Sequence, residues 1–208
     1  PIRKWFGMNR IQRFGVHTVM MLIVGASAHA QNSDSRNPGI GVIAKAYRDS
    51  IVVRWAPTGP SAWAILNKSG YAVERVTFPE TGTFDPKSLE KKRWVVGPWS
   101  LEEWKTRTPR SDTMAAIAAQ ALYGKSFAPD AGMDEFGRYR ALANEQSNRF
   151  SFALLAADVS RDAAQGLGLR FVDKEIKAGR RYLYRIYPAG PITTVKIDTG
   201  LVAVSAND

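Results

Sequence analysis

Apolar and polar residues alternate in two separate parts of the chain. An alternation with a period of two predicts β-strands, because successive side chains of a strand point to opposite faces. In the clearest example, Ile51, Val53 and Trp55 share one face, and the strand stops at the Pro- and Gly-containing stretch 57–60. The strands predicted in this way are 51–56, 70–78, 169–172, 180–187 and 193–197, with 201–204 as a further candidate.

Between these two parts the period of the pattern changes to that of an α-helix. Ser100 followed by Glu103 is a capping box, in which two side chains satisfy backbone N–H groups at a helix start. A second helix is predicted to begin at Ser111 or Asp112 and to end at Gly124, because an apolar stripe at helical spacing runs between them.

A third helical stretch is predicted over 133–165, with a break near Ser147, and its second half is apolar nearly all round. Gly166 and Gly168 end it. Together these helices make 79–168 a mostly helical segment of 90 residues between two β-rich parts.

Three segments resemble the fibronectin type III domain. Residues 49–57 are similar to that family's second strand, in which Trp55 occupies the position of the core tryptophan, and 70–75 is similar to its third strand. Residues 176–186 resemble its turn and sixth strand. There Tyr182 matches the tyrosine-corner residue, whose hydroxyl bonds to backbone a few residues upstream.

The resemblance implies an α+β fold: a fibronectin type III-like β-sandwich over 40–208, with 79–168 as a mostly helical insertion between the third and later strands. The chain departs from the family in the length of that insertion and in Ala178, where a proline is usual. The alternative is a different α+β fold that shares only the strand signatures. The side chains expected in the core are Trp55, Tyr71, Tyr182 and Tyr184.

The first residues have the features of an export signal. Two arginines precede the apolar run 16–24, which is too short to span a bilayer, and small residues lead up to Ala30. We therefore interpret 1–30 as upstream residues and a signal peptide, cleaved near Ala30, and the polar stretch 31–39 as a flexible tether. The mature chain is expected to be secreted, periplasmic or at the cell surface, without a membrane anchor.

Composition excludes much enzyme chemistry. The chain has no cysteine, and its two histidines, His17 and His29, both lie in the predicted leader. A Ser-His-Asp triad, a cysteine nucleophile and an ordinary zinc site therefore cannot form, and no metal or cofactor is expected.

The formal net charge of +10 falls to +6 once the four basic residues of the leader are set aside. The remaining surplus is scattered, whereas nucleic-acid binding concentrates cations on one face. The tightest basic run, 91–93, is interpreted as a solvated loop. No nucleic-acid partner is expected.

Tryptophans provide the candidate recognition surface. Trp94, Trp99 and Trp104 recur every five residues near the start of the helical segment. Exposed tryptophans bind sugar faces and anchor protein interfaces, while the structural alternative is that they pack the helices onto the sheets. The expected function is an exported, non-enzymatic binding or structural module of a larger extracellular protein. Its partner would be a protein, a glycan or neighbouring modules of the same chain.

The alternative function is an extracellular polysaccharide hydrolase or an accessory carbohydrate-binding module. A glycoside hydrolase needs two carboxyl groups on either side of a cleft. The pairs Glu102 with Glu103 and Asp158 with Asp162 have the residue types. Adjacent acids point in different directions on a helix, and acids four residues apart are common on solvated faces, so a non-enzymatic role is favoured.

Overall fold

Seven strands and five helices form within the residues that the computed structural model describes, which are 37–79, 89–126 and 132–206. The predicted leader, its cleavage position near Ala30 and most of the predicted tether lie outside these residues. Within the described ranges, no helix is long and apolar enough to cross a membrane.

The strands make two antiparallel sheets. The strands are β1 Ile40–Ala46, β2 Ile51–Pro57, β3 Tyr71–Thr77, β4 Glu90–Val96, β5 Arg170–Asp173, β6 Arg181–Pro188 and β7 Gly200–Ser205. One sheet has the order β1-β2-β5 and the other the order β4-β3-β6-β7. The helices are α1 Pro60–Ser69, α2 Leu101–Arg107, α3 Thr113–Tyr123, α4 Glu135–Val159 and α5 Arg161–Gly166. The predicted α+β class is confirmed.

The core lies where the inner faces of the two sheets meet. Along β2, alternate side chains are buried, with Ile51 and Val53 at 0% and Trp55 at 4% relative exposure. The Trp55 ring lies against that of Tyr71 in the other sheet, with the two centroids 5.6 Å apart. All four aromatic residues expected in the core are buried: Trp55, Tyr71, Tyr182 and Tyr184.

β1 and β7 come together at one edge of this framework. Gly39, next to β1, forms an isolated bridge with Asp198, next to β7. A Cβ atom at Gly200 would lie only 2.3 Å from the Val42 side chain, so only glycine permits the two strands to approach so closely. The two sheets are therefore joined at this edge.

At the opposite edge β4 and β5 lie on different sheets and are not paired with each other. Their contact is through side chains, with the ring centroids of Trp94 and Phe171 4.9 Å apart. Each strand pairs on one side only, β4 with β3 and β5 with β2. This edge of the framework stays open.

The turn before β6 is held by a tyrosine. The buried Tyr182 hydroxyl accepts a hydrogen bond of 2.8 Å from the backbone N–H of Lys177. Gly179 within the turn has a φ of +70°, a conformation that glycine adopts without strain. The bond fixes where the chain enters β6.

Side-chain caps set the helix boundaries. The predicted capping box is confirmed: the Ser100 hydroxyl accepts from the Glu103 N–H at 3.3 Å, and Glu103 accepts from the Ser100 N–H at 2.9 Å. Helix α4 runs through Ser147, so the break predicted there is wrong. The break lies at Ser160, whose hydroxyl caps α5 by accepting from a backbone N–H.

The start of α3 is tied to the start of α5. Asp112 caps α3 by accepting from the Ala115 N–H at 2.9 Å, and it also accepts from the Ser160 hydroxyl at 2.6 Å. These hydrogen bonds lower the pKa of the Asp112 carboxyl, that of Ser160 having the largest effect. One carboxylate therefore stabilises two helix termini.

Three sequence predictions are wrong. The basic run 91–93 is part of β4, because an edge strand accepts charged side chains on its solvent face. Residues 193–197 are not a strand. Pro60, interpreted as part of a turn, begins α1, since the first helical position tolerates a residue without an N–H. The segment 79–168 therefore contains β4 as well as helices.

We predict that Trp55→Ala lowers the free energy of unfolding by about 3–5 kcal/mol, because it removes a large buried aromatic side chain. Urea denaturation followed by circular dichroism measures the change. The control is Leu201→Ala, at a position that is 58% exposed, which should change stability by less than about 0.5 kcal/mol. Equal losses in the two variants would contradict the central position of Trp55.

A second prediction concerns Asp112→Ala, which should cost about 1 kcal/mol at neutral pH, as expected for loss of an N-cap. Because folding lowers the pKa of Asp112, its contribution is present above the unfolded-state pKa and is lost as pH falls through the folded-state value. The stability difference between Asp112→Ala and the unmodified protein should therefore shrink in acid. The exposed Asp49→Ala variant is the control. A difference independent of pH would argue against the carboxylate as the cap.

Candidate functional site

A groove of about 730 Å³ runs along the open edge where β4 and β5 meet. One wall is the end of β4 and the backbone through Gly97, and the other consists of β5 and α5. The side chains that give the groove its chemistry are Trp99, Arg161, Gln165, Arg170, Phe171 and Lys174.

Two glycines allow α5 to form this wall. A Cβ atom at Gly166 would lie 2.4 Å from the Trp104 ring, and one at Gly168 would lie 2.6 Å from the Gly97 backbone. Gly168 also has a φ of +67°. These residues, predicted only as a helix stop, therefore let α5 pack directly on Trp104 and bring β5 against the chain after β4. The Trp99 N–H then donates to the Gly166 carbonyl at 2.8 Å.

The groove is positively charged. Arg161, Arg170 and Lys174 line it, and no carboxylate is among its lining residues. Within the described part of the chain, none of these three cations forms an ion pair or a side-chain hydrogen bond. Nearby Arg54, by contrast, is paired with Asp158 at 2.8 Å. The groove therefore has positive charge that neighbouring side chains leave largely uncompensated.

Arg170 is the most constrained of the three cations, since it belongs to β5 and is half-buried. Burial lowers the pKa of its guanidinium, and the positive charges of Arg161 and Arg54 lower it further. Tyr47 and Asp162 offset part of this effect. Burial and the two neighbouring positive charges therefore both disfavour the charged form of Arg170.

No known protein family, curated protein or solved structure matches this chain. The function of the groove is therefore inferred from its own residues and from the tryptophans beside it.

The three candidate tryptophans do not form one exposed surface. Trp104 is 3% exposed and contacts the edge of Trp99, with ring centroids 5.5 Å apart. Trp94 is half-buried against Phe171. Trp99 is half-buried as well, lies 5.2 Å from the Arg107 guanidinium, and is the one of the three that lines the groove. The structure therefore gives Trp104 a packing role and leaves Trp99 next to a ligand-sized space.

Sequence reasoning did not single out Phe171 or the three groove cations. Arg161 lies on a helix, whereas Arg170 lies on a strand and Lys174 follows it, so no single periodicity relates them. The sequence offered only a weak signal, because the three cations between 161 and 174 are separated along the chain and accompanied by Asp162 and Asp173. Only the chain reversal at Gly168 brings these cations to one surface.

The carboxylates considered for hydrolysis have other partners. Glu102 pairs with Lys105 at 2.7 Å, and Glu103 forms the capping box. Asp158 pairs with Arg54. Neither they nor Asp162 line the groove. Asp158 lines a different pocket, beside Arg54, and Asp162 is not among the residues that line that pocket.

A buried ionic cluster lies between the sheets. Arg75 on β3, at 2% exposure, donates to Asp173 on β5, at 1% exposure, over 2.6 Å. The Tyr184 hydroxyl on β6 donates to the same carboxylate oxygen at 2.7 Å, and the other oxygen accepts from the Glu175 N–H at 2.9 Å. Burial alone would lower the pKa of Arg75, but the hydrogen bond and charge of Asp173 outweigh burial and raise it.

This cluster is structural, because its charged groups are sealed from solvent. The sequence contained a sign of it: Arg75 shares a strand face with Tyr71 and Val73, both core residues. A charge at such a position requires a buried partner. The partner, Asp173, lies 98 residues further along the chain. At that separation, the pattern of polar and apolar residues does not indicate which two residues pair.

We predict that Asp173→Ala lowers the free energy of unfolding by about 3–5 kcal/mol, because it leaves the Arg75 charge buried without a partner. The triple variant Arg75→Met, Asp173→Leu and Tyr184→Phe removes every side-chain polar group of the cluster. It should lose less than Asp173→Ala alone, as measured by chemical denaturation. A larger loss in the triple variant would show that the ion pair itself, and not the avoidance of an unpaired charge, stabilises the fold.

Proposed function

We propose that this chain is an exported, non-enzymatic recognition module with a fibronectin type III-like sandwich, and that the groove at the β4–β5 edge holds its ligand. The fold part of this proposal is supported by sheets of three and four antiparallel strands packed face to face. The Trp55 position and the hydrogen bond of the Tyr182 hydroxyl, a tyrosine-corner geometry, also support it.

The observation that carries the recognition role is the groove itself. It is concave, has a volume in the range of small-ligand sites, and combines aromatic surface from Trp99 and Phe171 with converging polar groups. Aromatic rings supply contact area at a low cost in conformational entropy. The cations and the Gln165 amide can orient a ligand, because their hydrogen bonds and ion pairs depend on direction and charge.

The helical segment supplies the specificity of the module in this proposal. Trp99, Arg161 and Gln165 all come from it, and they line the groove together with strand β5 of the sheet framework. A sandwich without this segment lacks these three side chains. The export part rests on the leader-like residues 1–30 and places the partner outside the cytoplasm, as a protein, a glycan or a neighbouring module.

We predict that a screen of the purified protein against glycan arrays and cell-surface proteins finds a ligand whose binding needs the groove. Trp99→Ala should weaken that binding by more than about tenfold, a loss of about 1.4 kcal/mol. The variant Gln165→Trp, at an exposed position that lines the groove, should block it without touching the core.

The matched control is Tyr139→Ala, which removes an aromatic side chain that is 72% exposed and lies outside the groove. It should bind like the unmodified protein. Thermal unfolding of each variant verifies that folding is retained. Binding that survives both groove substitutions would place recognition elsewhere and refute the proposed site.

A further inference from the structure

We propose that the ligand of the groove is an acidic glycan, whose carboxylate or sulfate groups pair with Arg161, Arg170 and Lys174 while a sugar face lies on Trp99. This inference rests on the proposed function, since it names the ligand class of the same groove. It goes further by requiring negative charge on the sugar chain.

Arg170 is the cation that most favours an anionic ligand. Its guanidinium is half-buried at the side of the groove and forms no ion pair with the described residues. A guanidinium offers a planar pair of N–H donors that matches a carboxylate or a sulfate, and charged hydrogen bonds are stronger where water is partly excluded. Arg161 and Lys174 add two exposed cations beside it. Burial is the largest cause of the lowered pKa of Arg170, and the positive charges of Arg161 and Arg54 add to it, so an acidic ligand would offset the unfavourable environment of this cation.

The aromatic side chains favour a sugar. Trp99 and Phe171 border the same space as the cations, and the C–H-rich face of a sugar ring packs on such rings. The groove is lined by residues of both β4 and β5, and its volume of about 730 Å³ exceeds that needed for a lone ion. A ring with an attached anionic group satisfies both kinds of side chain at once.

A peptide is a poorer fit, because an extended peptide would bind to this edge by adding a strand. β5 has only four residues, and the solvent side of β4 carries Lys91 and Arg93. Short edge strands and edge charges are the features by which proteins avoid strand addition.

A nucleic acid is also disfavoured. Specific protein–DNA contacts commonly neutralise about 6–10 phosphates, and this groove has three cations. The negative charge of Asp162 acts on Arg170 and raises its pKa, and Glu175, next to Lys174 in the chain, pairs with Lys92. These carboxylates interrupt the positive surface where a continuous phosphate backbone would have to pass.

The test measures binding of the full chain, purified after expression, to polygalacturonate and dextran sulfate by biolayer interferometry. Neutral dextran, poly-glutamate and single-stranded DNA are the comparison probes. The groove variant is Arg161→Glu with Lys174→Glu, both at exposed positions. The matched control, Lys68→Glu with Arg110→Glu, reverses one lysine and one arginine at exposed positions outside the groove.

We expect at least one acidic polysaccharide to bind and neutral dextran not to bind. The groove variant should weaken binding by about tenfold or more, and the control by less than about twofold. Added salt should also weaken binding, because it screens the charge interactions. Preference for polygalacturonate over dextran sulfate, or the reverse, identifies the anionic group.

Several outcomes would overturn the inference. If both double variants lose the same amount of affinity, the effect comes from the net charge of the protein and not from the groove. If poly-glutamate or DNA binds at the groove more tightly than the acidic polysaccharides do, the ligand belongs to another class. Binding of neutral dextran that Gln165→Trp abolishes would refute the acidic ligand while keeping the groove as the site. If no probe, and no ligand from the wider screen, responds to Gln165→Trp, the proposed function fails as well.

Discussion

The interior of this protein contains a full positive charge, and the rest of the structure depends on how that charge is neutralised. Arg75 belongs to one sheet and Asp173 to the other, so their ion pair sets how the sheets face each other. The Tyr184 hydroxyl and the Glu175 N–H complete the coordination of the carboxylate. In a chain without cysteine, this cluster is a specific cross-link between the two layers, since apolar packing alone is tolerant of small shifts.

The same constraint determines the geometry of the groove. Asp173 is the last residue of β5, and its neighbours Val172 and Lys174 line the groove, so the buried pair fixes one wall from behind. The other constraint is steric. Gly166 and Gly168 allow α5 to approach Trp104 and the chain after β4, and any larger side chain at either position would push this wall away. The buried ion pair and the absence of a Cβ atom at these two glycines together set the position of this groove wall.

Local patterns predicted a large part of the fold. Alternation located β2, β3 and β6, caps located α2 and α3, and the four core aromatics are buried. Failures occurred where tertiary contacts decide the outcome. The run 91–93 becomes a strand because β3 offers an edge, and Pro60 starts a helix because the preceding strand has ended. Of the candidate site, only Trp99 was named in advance, because the groove cations come together through a chain reversal that no periodic pattern records.

The groove cations and the buried ion pair differ in how well they tolerate substitution. Arg161 and Lys174 are exposed and have no partners among the described residues, so substituting them leaves no orphaned group in the interior. Arg75 and Asp173 cannot be changed singly without that penalty. Substitutions are therefore tolerated more readily at the exposed groove cations than at the buried pair, which makes the surface of the groove the part of this scaffold that can change at the lowest cost in stability.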